Sequence, residues 1–361
     1  MKYLFIVQGE GRGHMTQALS LAQTLRARDH DICGVVVGKS NRRSIPPFFS
    51  DQIGAPIEHL DSPNFVTDKN QKSVKPFRSV VYSLLKTPRY RKSIERIHEI
   101  VSVEKPDVIV NFYDFIGGLY NFSKRPRSRF VCIAHQFLIA HPEFEFPKGR
   151  LLDRVSLRVG NKIASLGADM ILGLSFQQFE DMPKKKLFVV PPLLRKEIQT
   201  LVITNENHVL AYMVNPGYGE EVEAFHEQYP EEVLHCFWDM KDRPDEYVVD
   251  GTLTFHQLND KKFLSKMAAS KGYVTTAGFE SVCEAMYMGK PVLMIPVAGH
   301  YEQACNAIDA MKAGAGISAE KFEIKRLIEY IPEYKNTSGW FRSWADGAPE
   351  VFVKYLENGD H

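Results

Sequence analysis

Short apolar runs alternate along this chain with longer segments of helical periodicity. KYLFIV, ICGVVVG, DVIVNF, RFVCIA and DMILGL are continuous apolar stretches within the first 174 residues. Runs that stay apolar without alternating are expected of parallel strands buried on both faces. Between them the period changes: after Met15, the residues Leu19, Ala22 and Leu25 fall on one helical face. The pattern pauses at VVPPLLRKEIQTLVITNEN, where two prolines and a polar run predict a crossover between domains. A second series follows through HVLAYMV, EVLHCFWDM, GTLTFH, GYVTTAG and KPVLMIP. Such βα repetition predicts an α/β protein of two doubly wound parallel-sheet domains, residues 1–195 and 205–335. The remaining residues, 336–361, include GWFRSWADGAPEVFVKYLENG, helical and aromatic, and are expected to pack back across the domain junction.

The first strand leads into GEGRGHMTQALSLAQTL. Ligands of open α/β sheets sit beyond the carboxyl ends of strands, where this loop falls. Gly9, Gly11 and Gly13 let backbone approach a ligand, and the following helix offers N–H groups to an anion. The spacing departs from the dinucleotide-binding G-x-G-x-x-G, and the second strand ends in VVVGKS without an acidic residue for a ribose diol. His14 stands at the helix mouth, where the dipole favours neutral imidazole, the form a general base needs. A capping or solvent-facing histidine is the plainer alternative. Glu10 is a second candidate base.

The stretch GYVTTAGFESVCEAMYMGKPVLMIPVAGHYEQACNA, residues 272–307, carries the other candidate site. Thr276, Ala277 and Gly278 form a small-residue turn from strand to helix, again an anion-binding geometry. Glu284 lies one helical face on, placed to accept the hydroxyls of a ribose. Gly289 ends that helix, and VLMIP delivers a polar loop with Glu302 and Gln303.

Small turn, glutamate, GKP, apolar strand and polar loop, in that order, resemble the donor-binding signature of GT-B glycosyltransferases. The segment is similar to glycosyltransferase family 28, the type that includes the peptidoglycan lipid-intermediate N-acetylglucosaminyltransferase. GRGHMTQALSLAQTLRARDHDI resembles the N-terminal loop of the same superfamily. The resemblance implies a GT-B fold, with two Rossmann-like domains facing a cleft, and an inverting transfer from a nucleotide-diphosphate sugar, most simply a UDP-sugar, to a hydroxyl acceptor. It implies that Glu284 holds the donor ribose, that Gly11, Gly13, Thr276, Ala277 and Gly278 serve the donor, and that Glu302 and Gln303 face its sugar. The lipid-intermediate enzyme has Gln–Gln at that last place, so Glu302–Gln303 departs from it. Phe255 and His256 would border the nucleotide base, with core packing the alternative for Phe255. On the acceptor side, Asn111 and Asp114 follow a strand end, as does His135. In similar natural-product transferases an acidic residue near here orients the catalytic histidine, so Asp114 is expected to partner His14; the alternative is that Asp114 caps the next helix. His135 has a structural alternative of the same kind. The chain has no Asp-x-Asp, so neither a metal nor another cofactor is expected.

Composition trims this picture. In 361 residues the net charge is +1, which argues against a nucleic-acid partner. Five scattered cysteines without CxxC spacing, no apolar run of membrane-spanning length and no leader-like N-terminus suggest a cytoplasmic protein. Basic amphipathic stretches near 75–98 and 148–166 would suit contact with the inner face of an anionic membrane beside a lipid-linked or cell-envelope acceptor, or would be solvated helix faces. Two other functions share the pattern: a nucleotide-sugar 2-epimerase, and a catalytically silent sugar-nucleotide-binding protein.

Overall fold

The computed structural model describes residues 1–39, 45–63, 81, 84–213, 216–240 and 243–358. The chain divides into two compact units. The first comprises Met1–Phe144, Arg150–Leu193 and Gly347–His361; the second comprises Glu145–Gly149 and Leu194–Asp346.

The first unit is built on β1 (Lys2–Val7), β2 (Asp31–Gly38), β3 (Ile57–Leu60), β4 (Val108–Phe112), β5 (Arg129–Ala134), β6 (Met170–Leu174) and β7 (Leu187–Val190). Every pairing is parallel, in the order β3-β2-β1-β4-β5-β6-β7. The crossovers include α1 (Arg12–Arg26), α2 (Pro47–Ile53), α3 (Pro88–Glu104), α4 (Phe115–Lys124) and α5 (Leu151–Ala164). Leu4, Ile6, Ile109 and Phe130 of the sheet meet Ile97, Ile116 and Leu119 of the helices in a dry core. Burying an aliphatic or aromatic side chain of this kind contributes about 1.5–3 kcal/mol.

The second unit repeats the plan with β8 (His208–Tyr212), β9 (Val233–Trp238), β10 (Glu246–Val248), β11 (Leu253–Gln257), β12 (Gly272–Thr275), β13 (Val292–Met294) and β14 (Gly316–Ser318). Its order is β10-β11-β9-β8-β12-β13-β14, parallel except for the edge strand β10, which runs antiparallel to β11. Helices α6 (Gly219–Gln228), α7 (Asp260–Ala269), α8 (Phe279–Met288), α9 (Tyr301–Lys312) and α10 (Ile324–Tyr330) complete it. The last two helices part company. In α11 (Ser338–Ala345), Arg342 Nε donates to the Tyr287 carbonyl of α8 at 2.7 Å, within the second unit. In α12 (Ala348–Asn358), Glu357 meets His30 at 2.7 Å and Tyr355 donates to Asp181, all within the first unit.

Each sheet reverses its winding once, between β1 and β4 in the first unit and between β8 and β12 in the second. Connections leave such neighbours toward opposite faces and open a crevice at their carboxyl ends. The loop after β1 carries Gly9–His14, and the turn after β12 carries Thr276–Gly278. Gly9 is required by its surroundings: a Cβ there would lie 1.9 Å from the Gly38 carbonyl oxygen at the end of β2, whereas one on Gly11 would meet nothing within 4 Å. Gly9→Ala is therefore expected to destabilise the first unit by about 3 kcal/mol or more, an overpacking cost against backbone. Gly11→Ala should cost under about 1 kcal/mol, that of a poorer N-cap. Urea denaturation of the two variants measures the difference.

Candidate active site

In the first unit, α1 begins at the N-cap Gly11, and His14 lies in its first turn. Three residues on, Gln17 shares its face, and His14 Nδ1 lies 3.2 Å from Gln17 Oε1. On the other edge of the ring, Nε2 lies 3.4 Å from Gln136 Nε2. The imidazole stacks on the Tyr113 ring with centroids 5.9 Å apart. Tyr113 itself has φ +59°, a left-handed conformation that costs a non-glycine residue about 1–2 kcal/mol. Its hydroxyl donates to Asn161 Oδ1 at 2.5 Å, and Asn161 Nδ2 donates to the Gln136 carbonyl. Burial pushes the His14 pKa down to about 4, against the opposing Gln17 hydrogen bond. The ring is therefore neutral at pH 7.

The expected His14–Asp114 pair does not form. Asp114 is the N-cap of α4: Oδ1 accepts from Ile116 N–H at 2.8 Å and from the Ser62 hydroxyl at 2.6 Å. Its other oxygen packs on Gly38, where a Cβ would approach to 2.1 Å. Burial pushes its carboxyl up to about 6, while the Ser62 and Ile116 hydrogen bonds oppose the rise. Asn111 is likewise committed to the fold. Nδ2 donates to the carbonyls of Asp114 and Ala164, and Oδ1 accepts from Asp114 N–H. His135 is buried, with Nδ1 on the Leu174 carbonyl at 2.7 Å and its ring edge-on to Phe176. These three side chains brace the strand ends. Glu10 and Gly13 lie, partly buried, on either side of the α1 N-terminus.

In the second unit, Thr276–Gly278 turns directly from β12 into α8, with Gly278 as the N-cap. Ala277 has φ +58°, and its carbonyl accepts from Asn306 Nδ2 at 3.1 Å. A left-handed residue at a helix mouth turns successive N–H groups toward one point, the concave arrangement that binds anions. Glu284 is on the same helix and 1% exposed. Both of its oxygens are taken by one guanidinium: Arg195 Nε donates to Oε1 and Nη2 to Oε2, each at 2.7 Å. Asp260 stands 3.6 Å from Arg195 Nη1. Burial raises the Glu284 carboxyl above its ordinary value, and the charge and hydrogen bonds of Arg195 oppose the rise. The bidentate guanidinium favours the ionised carboxylate against that rise. Gln303 Oε1 accepts from Val297 N–H at 2.8 Å and so shapes the loop after β13, while Glu302 lies half-buried in the first turn of α9.

The side chains of Phe255 and His256 are both packed inside the second unit. Phe255 is fully buried and stacks on Trp238 with ring centroids 4.1 Å apart, so its side chain belongs to the core. His256 is 1% exposed, with Nε2 3.0 Å from His235 Nδ1 and its ring against Phe237. Three residues at these sites escaped the sequence reading. Gln17 had a signal, its three-residue spacing from His14. Arg195 had a weaker one, a lone arginine closing the apolar run VVPPLL. Gln136 had none, because only the fold brings the turn after β5 beside α1. Among the described residues no group of three or more His, Cys, Asp or Glu is placed to hold a metal ion.

Two parallel sheets that each reverse at a glycine- or alanine-bearing turn define the GT-B class. Solved structures of that class superpose on nearly the whole chain. The glycosyltransferase of kitacinnamycin matches with TM-score 0.66 and 13% identity over 99% of this chain and 98% of its own. A spinosyn rhamnosyltransferase complexed with thymidine diphosphate matches with TM-score 0.64 and 13% identity over 99% and 100%. Phytolacca americana UGT2 complexed with UDP-2fluoro-glucose and pterostilbene matches with TM-score 0.62 and 13% identity over 98% and 96%. No curated protein matches the sequence. Residues 1–333 match the family described as Glycosyl transferase family 1; the chain belongs to that family and is a glycosyltransferase.

The buried His14 has a measurable consequence. Its folded pKa near 4 lies below the unfolded value near 6.5. Between those values the unfolded chain binds more protons, so this group's contribution to stability is lost as pH falls through the window. Wild type should lose up to about 1.4 kcal/mol per pH unit more than His14→Gln between pH 6.5 and 4. Paired urea titrations at pH 7 and 4.5 test this.

Proposed function

We propose that the protein is an inverting, metal-independent hexosyltransferase that moves a sugar from a nucleotide diphosphate, UDP in the simplest case, to a hydroxyl acceptor. The observation that carries this reading is the β12–α8 turn: left-handed Ala277 at a helix mouth, at the winding reversal, with a buried Glu284 held by Arg195 on the same helix. Backbone N–H groups from Thr276 to Gly278 take the diphosphate, replacing the charge a metal would bring. Arg195 uses one lone pair of each Glu284 oxygen, and the second on each suits a ribose diol. Gln303, fixed through its oxygen, presents its amide nitrogen to the donor sugar, with Glu302 beside it. His14 is the base. It takes the acceptor proton, the acceptor oxygen bonds to the anomeric carbon with inversion, and the carbon–oxygen bond to the diphosphate breaks. Nucleotide diphosphates in the rhamnosyltransferase and UGT2 structures support a donor of this class.

For the acceptor, a lipid-linked or cell-envelope hydroxyl of the kind the family 28 resemblance implies is the finer reading. It is supported by α5, where Leu151 and Leu152 are exposed at about 70% beside Arg154, Arg158 and Lys162. That composition suits an anionic membrane surface. The companion stretch 75–98 lies partly outside the described residues; its described end enters α3. Among the described residues no helix is long and apolar enough to cross a membrane.

Thermal shift with UDP-, TDP- and GDP-hexoses tests the donor site. One donor should raise the unfolding temperature by mass action. Glu284→Gln should weaken that donor at least about tenfold, the loss of one charged hydrogen-bond acceptor. His14→Ala should keep the shift and lose turnover by about 100-fold or more. No shift with any donor overturns the reading.

A further inference from the structure

Among the described residues the imidazole of His14 is held by two amides and by no carboxylate, and this decides which of its nitrogens can accept a proton. Gln17 offers Oε1 to Nδ1 at 3.2 Å. A carbonyl oxygen only accepts, so Nδ1 carries the hydrogen. In a neutral ring the lone pair is then on Nε2, the nitrogen that faces the donor group Gln136 Nε2 at 3.4 Å. The backbone carbonyl of Gln136 accepts from Asn161 Nδ2, Asn161 Oδ1 accepts from the Tyr113 hydroxyl, and the Tyr113 ring stacks on His14.

We propose that Gln17 is a positioning residue that fixes His14 as the Nδ1–H tautomer, leaving Nε2, the nitrogen Gln136 faces, as the atom that receives the acceptor's proton. This rests on His14 being the base, as argued above. At 3.4 Å the Gln136 contact is long for a hydrogen bond, so a hydroxyl that approaches Nε2 more closely displaces it. The acceptor O–H bond breaks and Nε2–H forms. The acceptor oxygen bonds to the anomeric carbon, and the electron pair of the breaking bond leaves with the nucleotide diphosphate. The imidazolium then returns its proton to solvent. Throughout, Gln17 continues to accept from Nδ1–H. Among the described residues the Tyr113 phenol stacks on the ring, and Asp114, next in sequence, is bonded to Ser62 and the Ile116 N–H. Burial and Gln17 account for the titration of His14.

The test is nitrogen NMR on the full chain labelled with 15N-histidine, with the His14 signals assigned by their loss in His14→Gln. Wild type at pH 7 should show a protonated Nδ1 and an unprotonated Nε2. Gln136→Ala should keep that tautomer and move the Nε2 signal alone. Gln17→Glu places a carboxylate on Nδ1 and should raise the His14 titration by about one pH unit or more; the acid limb of kcat/KM should move with it. An Nε2–H tautomer in the wild type overturns the proposal without recourse to any variant. So does a folded Gln17→Glu protein whose His14 titration stays within about 0.3 unit of wild type. The expected tautomer together with full turnover by His14→Gln overturns instead the assignment of His14 as the base, and with it the aim of Nε2 at an acceptor.

Discussion

Two adjacent parallel strands whose connections depart to opposite faces leave a gap that no backbone fills, and each unit has one such pair. The gap is where a helix mouth and its unpaired N–H groups are exposed beside a strand end. In the first unit the loops around it are pressed together. Gly9 lies against the Gly38 carbonyl, Gly38 against Asp114, and Asp114 is tied to Ser62. Side-chain volume is excluded there, so the glycines serve the approach of loop to loop. In the second unit the turn is looser in volume but strained in conformation, because Ala277 adopts the left-handed region without being glycine. Strain of that kind persists only where surrounding contacts impose it, and the Asn306 hydrogen bond to the Ala277 carbonyl is one such contact.

The two sites solve opposite electrostatic problems. The second unit holds a buried carboxylate, and a buried charge costs several kcal/mol unless it is paired and fully hydrogen-bonded. Arg195 supplies the pairing with a bidentate geometry, one hydrogen bond to each oxygen. An isolated Glu284 would titrate upward and lose its acceptor character. The first unit instead contains a neutral imidazole among amides and aromatic rings. Its neutrality follows from burial, and the neighbours are matched to a neutral ring: one acceptor for Nδ1–H and one donor for Nε2.

Periodicity revealed the interior of both sheets and missed their margins. β3 (IEHL), β10 (EYV) and β14 (GIS) are edge strands of three or four residues, too short for a pattern and too polar for an apolar run. β7 (LFVV) was hidden because it runs directly into the prolines that read as a crossover. Site residues followed a similar rule. His14, the Thr276–Gly278 turn and Glu284 were legible because strand, turn and helix boundaries place them locally. Asp114, Asn111, His135, Phe255 and His256 also stand at or near strand ends, yet their side chains cap, brace or pack. Position in an element can be read from sequence, but the direction of a side chain depends on neighbours distant in sequence. Gln136 and Arg195 are the converse, placed by contacts 122 and 89 residues away.

As the proposed base, a His14 held near pKa 4 is poorly matched to an alcohol on its own, since general bases work best with pKa values near the working pH. The difficulty lessens when proton transfer is coupled to bond formation. As the acceptor oxygen shares electrons with an oxocarbenium-like carbon it becomes positive, and its proton becomes strongly acidic. What the transition state then requires is a correctly aimed lone pair that is never lost to protonation at neutral pH. A carboxylate on Nδ1 would strengthen the base but would also bring a second charge into a buried site, where Asp114 is already driven up to about 6 by burial. An amide on Nδ1 gives the aim without the charge, and the left-handed Tyr113 keeps an aromatic face over the ring that holds it there. On this view orientation of the imidazole contributes more to the site than its basicity.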